Sequence, residues 1–223
     1  MVNPVPEKEI SIYDVENLIK QHPQKDEILK FHELPVKSDE YNKIKISLPC
    51  VTPHAAFENY KRTGNIKSFS SYMYYDVDVY NTTHSIESYY DNIIKTHQDK
   101  ISLAGRSVGN RGFFIYVKID NAECLNKDNF NRVYDYIKND ILTDVAVDSN
   151  ATGITRYQII PYDPYVYTNH SASLNIPVDI YDNSSINTNN GNTNSNYKYN
   201  GNYNNTNHNI QSNTHGSKSK SNK

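Results

Sequence analysis

Ser71-Tyr-Met-Tyr-Tyr-Asp-Val-Asp-Val-Tyr80 reads as a buried β-strand that carries two carboxylates, Asp76 and Asp78. Tyr, Met and Val suit a pleated surface, and neither Gly nor Pro interrupts the run. Side chains two apart in a strand point to the same face, roughly 7 Å apart along the chain. Asp76 and Asp78 therefore face one way, and Tyr75, Val77 and Val79 the other. Two adjacent anions repel, and near a core they are costly unless something cationic sits between them. A divalent metal is one answer, because Mg²⁺ and Mn²⁺ prefer oxygen ligands. A strand end whose acids simply touch water is the other.

The chain around this strand has 223 residues, which suits one domain with an appendage. A net charge of −2 gives no global basic field for nucleic acid, so any such surface must be local. Cys50 and Cys124 are the only cysteines. Two lone thiols without a CxxC partner point to a reducing compartment and no zinc cluster. The opening Met-Val-Asn-Pro-Val-Pro-Glu-Lys is not a signal peptide, and no apolar run approaches membrane-spanning length. A cytoplasmic protein with no membrane partner is expected. Sequons such as Asn81-Thr82-Thr83 then reflect only an Asn-rich composition.

Upstream, Ile12, Val15, Leu18 and Ile19 recur at helical spacing, and Pro23 ends that helix. A second short helix spans Asp26–Glu33, so residues 1–40 form a helical arm. In Tyr41–Pro53, Ile44, Ile46 and Leu48 alternate with Lys43, Lys45 and Ser47, which predicts a half-buried strand. Pro49 and Pro53 confine its end to an edge or a turn. Ala55–Lys67 has no clear period.

Downstream the pattern is regular. A helix over Ser85–His97, capped by Thr83 or Ser85, is followed by a short strand Ile101–Ala104. The turn Ser107–Gly112 leads into a strong strand, Phe113–Ile119. A helix over Asn126–Leu142 and a last strand, Gly153–Pro161, complete the order β-α-β-β-α-β. This is the split βαβ arrangement of ferredoxin-like and RNA-recognition folds, an α+β class. It puts the acidic strand and Phe113–Ile119 side by side at the centre of the sheet. Residues 183–223, rich in Asn, Ser, Thr, Gly and Lys, are too polar to offset ordering entropy, so a disordered tail is expected.

Three further features accompany the acidic pair. The glycines of Ser107-Val-Gly-Asn-Arg-Gly112 let backbone approach a ligand, and N–H groups there can cradle a phosphate; a plain hairpin turn is the simpler reading. Asp148 enters the last strand, as a turn or capping Asp on its spacing alone. Arg156, inside an otherwise apolar strand, must find a carboxylate, a phosphate or water, with Asp163 one structural partner. Lys61, Arg62 and Lys67 are candidate nucleic-acid contacts or a solvated loop. His54, His84, His97 and His170 lack any zinc spacing and are taken as surface or core-edge residues.

Leu48-Pro-Cys-Val-Thr-Pro53, Tyr74-Tyr-Asp-Val-Asp78, Ser107–Gly112, Asp148 to Arg156, and Tyr162–Asn169 occur in an order that resembles the VirE amino-terminal-domain family, a branch of the archaeo-eukaryotic primase superfamily. The resemblance runs from about Tyr41 to Ala172. It implies a primase-type RNA-recognition-like core, so the chain is expected to divide into the helical arm at 1–40, that core at 41–180 and the polar tail at 181–223. It implies that Asp76, Asp78 and Asp148 hold catalytic Mg²⁺ or Mn²⁺. Ser107, Gly109, Arg111, Gly112 and Arg156 would contact nucleotide phosphates, with support of the acidic cluster as the other role for Arg156. Lys61, Arg62 and Lys67 would meet the template. The implied function is metal-dependent nucleotidyl transfer from nucleoside triphosphates on single-stranded DNA, in phage or mobile-element replication beside a helicase. One departure matters: Phe114 stands where such enzymes carry His.

Two other classes compete. Arg111-Gly-Phe-Phe-Ile-Tyr-Val117 partly resembles an RNP1 motif, whose aromatics stack on bases in a non-catalytic binding module. A catalytically degenerate domain that binds nucleic acid or recruits replication partners is the other.

Overall fold

The computed structural model describes residues 8–78, 85–143 and 153–182, with Asp78 described in its backbone alone. The expected Asp148, the sequon at Asn81 and the tail from residue 183 lie outside the described residues. The described chain is a mixed α/β structure of antiparallel sheets with six α-helices among the described residues.

The quoted strand is β4, Tyr72–Asp78. Every residue of it pairs antiparallel with β6, Gly112–Lys118, from Tyr72 opposite Lys118 to Asp78 opposite Gly112. On the other side of β6 lies β5, Ile101–Arg106, and beyond it β8, Tyr167–Thr168, giving the order β4-β6-β5-β8. The expected neighbours are thus neighbours, but β4 is at the edge of this sheet rather than its centre.

Strand alternation sorts the side chains onto two covered faces. Met73, Tyr75 and Val77 of β4 share one cluster with Phe113, Ile115 and Val117 of β6. The helices α4, Ile86–His97, and α5, Phe130–Ile141, bury their apolar sides there through Ile93, Phe130, Val133 and Ile137. Ser85 caps α4 by accepting from the Ser88 N–H, as its sequence position predicts. Tyr74, Phe114, Tyr116 and Leu103 point to the opposite face. A register shift between Ile101 and Leu103 lets β5 supply both faces out of strict alternation.

That second face is covered by the N-terminal arm. The helix α1, Ile12–Lys20, buries Ile12, Val15 and Ile19 against it, with Ser11 and Asp14 forming a reciprocal cap at its start. The second arm helix, α2, runs Lys25–Glu33. The arm is therefore part of the core packing.

Two expectations are corrected. Asp39–Ser47 is a helix, α3, in place of the half-buried strand expected within Tyr41–Pro53. Ser38 caps it by accepting from the Tyr41 N–H, and Asp39 and Glu40 sit in its first turn. Tyr41 and Leu48 are buried at helical spacing, Tyr41 stacking on Phe31 of α2, while Ile46 is 84% exposed. Strict alternation thus misled because one of its three apolar members faces water. The Pro-terminated segment after it forms only β1, Cys50–Val51.

The last strand is the second correction. Gly153–Pro161 contains only β7, Gln158–Ile159, and it pairs with β1 instead of joining the main sheet. Gly153 has φ +119°, and its carbonyl accepts from the Arg156 N–H, so the first four residues are a closed turn. The region of no clear period holds a hairpin of β2, Ala55–Phe57, with β3, Ile66–Phe69. The helix α6, Val178–Tyr181, ends the described chain.

The fully buried Ile19 tests whether the arm is integral. Ile19→Ala is expected to cost about 2–4 kcal/mol in urea unfolding. A loss below about 0.5 kcal/mol would mean that α1 is a dispensable attachment.

Candidate functional site

At one end of the arm-covered face, β4, β7, α3 and the β5–β6 turn enclose a cleft of about 120 Å³. Tyr74 and Phe114 contribute aromatic surface. Lys45, Asp76, Ser107 and Arg156 contribute the charged and polar groups. The volume suits a phosphate-sized group and is well short of the roughly 300 Å³ at which pockets enclose a whole ligand. Asp76 is opposite Phe114 in the ladder, and its carboxylate lies 3.8 Å from the Arg156 guanidinium, both side chains being about three-quarters buried.

Arg156 thus meets Asp76, and Asp163 is committed elsewhere. Its two oxygens accept from the backbone N–H groups of Arg106 and Tyr165, at 3.0 and 2.9 Å. Arg106 itself pairs with Glu87.

The β5–β6 turn divides its residues between two places. Ser107 lines the cleft. Asn110 takes φ +51° and donates to the Ser107 carbonyl, and Ser107 N–H closes the turn onto Gly112. Gly109 lies beside Arg111, whose guanidinium donates to the Tyr41 hydroxyl at 2.9 Å and faces a neighbouring depression with Lys37, Tyr41 and Asn42. Gly112 takes the first ladder position, opposite Asp78. The turn also receives His32 of α2 at the Val108 carbonyl, 2.9 Å away.

Of the three expected cations, Lys61 sits 4.1 Å over the ring of Tyr157, which borders the cleft. Burial, and to a lesser degree the charge of Arg156, hold the Lys61 ammonium below its ordinary value, against an opposing pull from Cys50. Arg62 lies over the Tyr60 ring. Lys67 is paired with Glu9, away from the cleft lining.

His54 is not the surface or core-edge residue expected: it is fully buried. Its Nδ1 lies 3.0 Å from the Gly153 carbonyl, and its Nε2 lies 3.1 Å from the Tyr74 N–H and 3.3 Å from the Tyr74 carbonyl; the shorter contacts correspond to a neutral ring with Nδ1–H donating to Gly153 and Nε2 accepting from Tyr74. Burial pushes its pKa down to about 4.

The pattern-based reading missed Lys45, Tyr157 and Gln158. Gln158 is polar, 3% exposed, and two residues from Arg156 in an apolar segment. That spacing was the available signal. Lys45 was hidden by the strand assigned to what is α3.

No curated protein and no solved structure matches the chain. By fold and site it is a mixed α/β protein with a small charged cleft at one end of an antiparallel sheet. The chain belongs to the BT4734-like, N-terminal domain family, whose model matches residues 43–167. This replaces the VirE amino-terminal-domain assignment, which rested on short motifs in a shared order. The primase, replication and metal-binding description falls with it. Neither the family match nor the structure supports it, and the described residues hold no group of three His, Cys, Asp or Glu able to hold a metal ion. Among those residues no helix is long and apolar enough to cross a membrane.

His54 makes stability depend on pH. Its folded value of about 4 is depressed from 6.5, so its share is complete above pH 6.5 and is lost as pH falls toward 4. The loss from His54 is expected to be about 3 kcal/mol in urea unfolding. His54→Gln should flatten that part of the profile; an unchanged slope would show that the ring does not titrate as its burial requires.

Proposed function

We propose that this chain is a binding module for nucleotides and single-stranded nucleic acid, with the Asp76–Arg156 cleft as its phosphate contact. The observation that carries this reading is the meeting of Arg156, Lys45 and Ser107 above an aromatic floor, in a space of phosphate size. Arginine's planar donor fork suits phosphate oxygens, and the low-dielectric floor strengthens each charge. Tyr157, 41% exposed beside the cleft, is the aromatic surface available for base stacking, with Lys61 over its ring.

The RNP1-like strand is not that platform. Phe114 is 1% and Tyr116 2% exposed, under the arm, while Phe113 and Ile115 are buried under α4 and α5. The finer fold assignment, an RNA-recognition-like sheet, is supported by the order β4-α4-β5-β6-α5 with β4 beside β6. A reducing, cytoplasmic location is consistent with the free thiols of Cys50 and Cys124.

The binding reading is tested by fluorescence anisotropy with labelled oligothymidylate across salt concentrations. Arg156→Ala is expected to weaken binding about tenfold and to shallow the salt slope by about 0.7, one phosphate contact. Equal affinity and slope in wild type and Arg156→Ala would place the contact elsewhere.

A further inference from the structure

Gln158 occupies an unusual position in the cleft wall. It is 3% exposed, and its Oε1 accepts a hydrogen bond from the Tyr116 hydroxyl. In this arrangement the phenol, kept protonated because burial drives the Tyr116 pKa far up, donates to the carbonyl end of the amide. The remaining end, Nε2, carries two N–H groups and has no hydrogen-bond partner among the described residues. Buried amide donors are normally satisfied, and one left over calls for an explanation. Gln158 lines the cleft together with Lys45, Ser107 and Arg156.

We propose that the side-chain amide of Gln158 is a ligand-reading donor that completes a phosphoryl-oxygen cradle in this cleft. The proposal deepens the binding reading above and rests on it. The donor balance names the ligand chemistry. The Lys45 ammonium, the Arg156 guanidinium and the N–H end of the Gln158 amide can only donate, and Ser107 can donate. Among the described residues Asp76 is the one carboxylate in the lining, and it faces Arg156. A set rich in donors selects an oxyanion over a base edge, which would need donors and acceptors in alternation. Gln158 adds direction without charge. Its orientation is set by Tyr116 from within the core, so the donor is fixed before the ligand arrives.

The phosphoryl group could belong to a free nucleotide or to a strand backbone, and the test separates the two. The ¹⁵N-labelled full chain is titrated with inorganic phosphate, a nucleoside triphosphate and oligothymidylate. The Gln158 side-chain amide pair is assigned by its absence from the Gln158→Glu spectrum. That pair is expected to shift saturably with phosphate and triphosphate, and with oligothymidylate if the backbone is the source. Gln158→Glu keeps an acceptor for Tyr116 but sets an anion against the ligand, and should weaken binding more than tenfold; Gln158→Met should weaken it about tenfold. The backbone N–H of Ser107 serves as the control. If Ser107 shifts while the Gln158 amide stays still, the cleft binds phosphate without Gln158 and the proposal is overturned. If neither responds to any of the three, the binding reading fails with it.

Discussion

The antiparallel pairing of β4 with β6 is the constraint on which the rest of the molecule depends. All seven residues of each strand are in register, from Tyr72 opposite Lys118 to Asp78 opposite Gly112. Because strand side chains alternate, that register assigns Met73, Tyr75 and Val77 to the helix-covered face and Tyr74 and Asp76 to the other. A slip by one residue would exchange the faces and turn the Asp76 carboxylate into the packing of α4 and α5. Both faces are largely apolar, so neither tolerates exposure, and each needs a cover. The amphipathic helices α4 and α5 cover one and the arm helix α1 the other.

The cleft forms where the second cover ends. Tyr74 and Phe114 are continuous with the aromatic packing under the arm, yet both also border the cleft. Asp76 lies one alternation further along β4, partly exposed. A carboxylate held three-quarters buried over such a floor requires a counter-charge, and Arg156 supplies it from a different element. The same electrostatic demand that keeps Asp76 soluble in its surroundings thus brings a guanidinium to the mouth of the cleft. Lys45 joins from α3, which stands between the cleft and the neighbouring depression that Arg111 faces.

Elements with strong, single-period patterns were legible in the sequence. The acidic strand, the two helices that follow it with the Ser85 cap, and the strand Gly112–Lys118 lie where their apolar spacing predicts. Asp76, Ser107 and Arg156 were also singled out by residue type, and they meet in one cleft. What was not legible had competing signals. Ile44, Ile46 and Leu48 satisfy strand alternation, while Ser38, Asp39 and Glu40 specify a helix start; the cap and the burial of Tyr41 and Leu48 prevailed. The Gly153 turn removed four residues from an apparent strand. His54 carries no spacing at all, because both its partners are backbone groups distant in sequence. The order of short motifs pointed to the wrong family, since order constrains little when each motif is a few residues long.

The Gly153 carbonyl ties the cleft to the core. It accepts from the Arg156 N–H, which closes the turn before β7, and from His54 Nδ1, whose ring holds Tyr74 of β4 through its other nitrogen. β7 itself pairs over only two residues with β1, a weak anchor for the run Arg156–Ile159 that lines the cleft. The shared carbonyl adds a second tie at the turn that leads into Arg156. A His54 protonated at both nitrogens loses the bond it accepts from the Tyr74 N–H and has only the Tyr74 carbonyl, 3.3 Å away, to donate to, so the charge state of one buried ring bears on the β4–turn connection. The helix-covered core reaches this link as well, because Phe130 and Tyr134 of α5 pack edge-on against the His54 ring, at centroid distances of 5.1 and 6.0 Å.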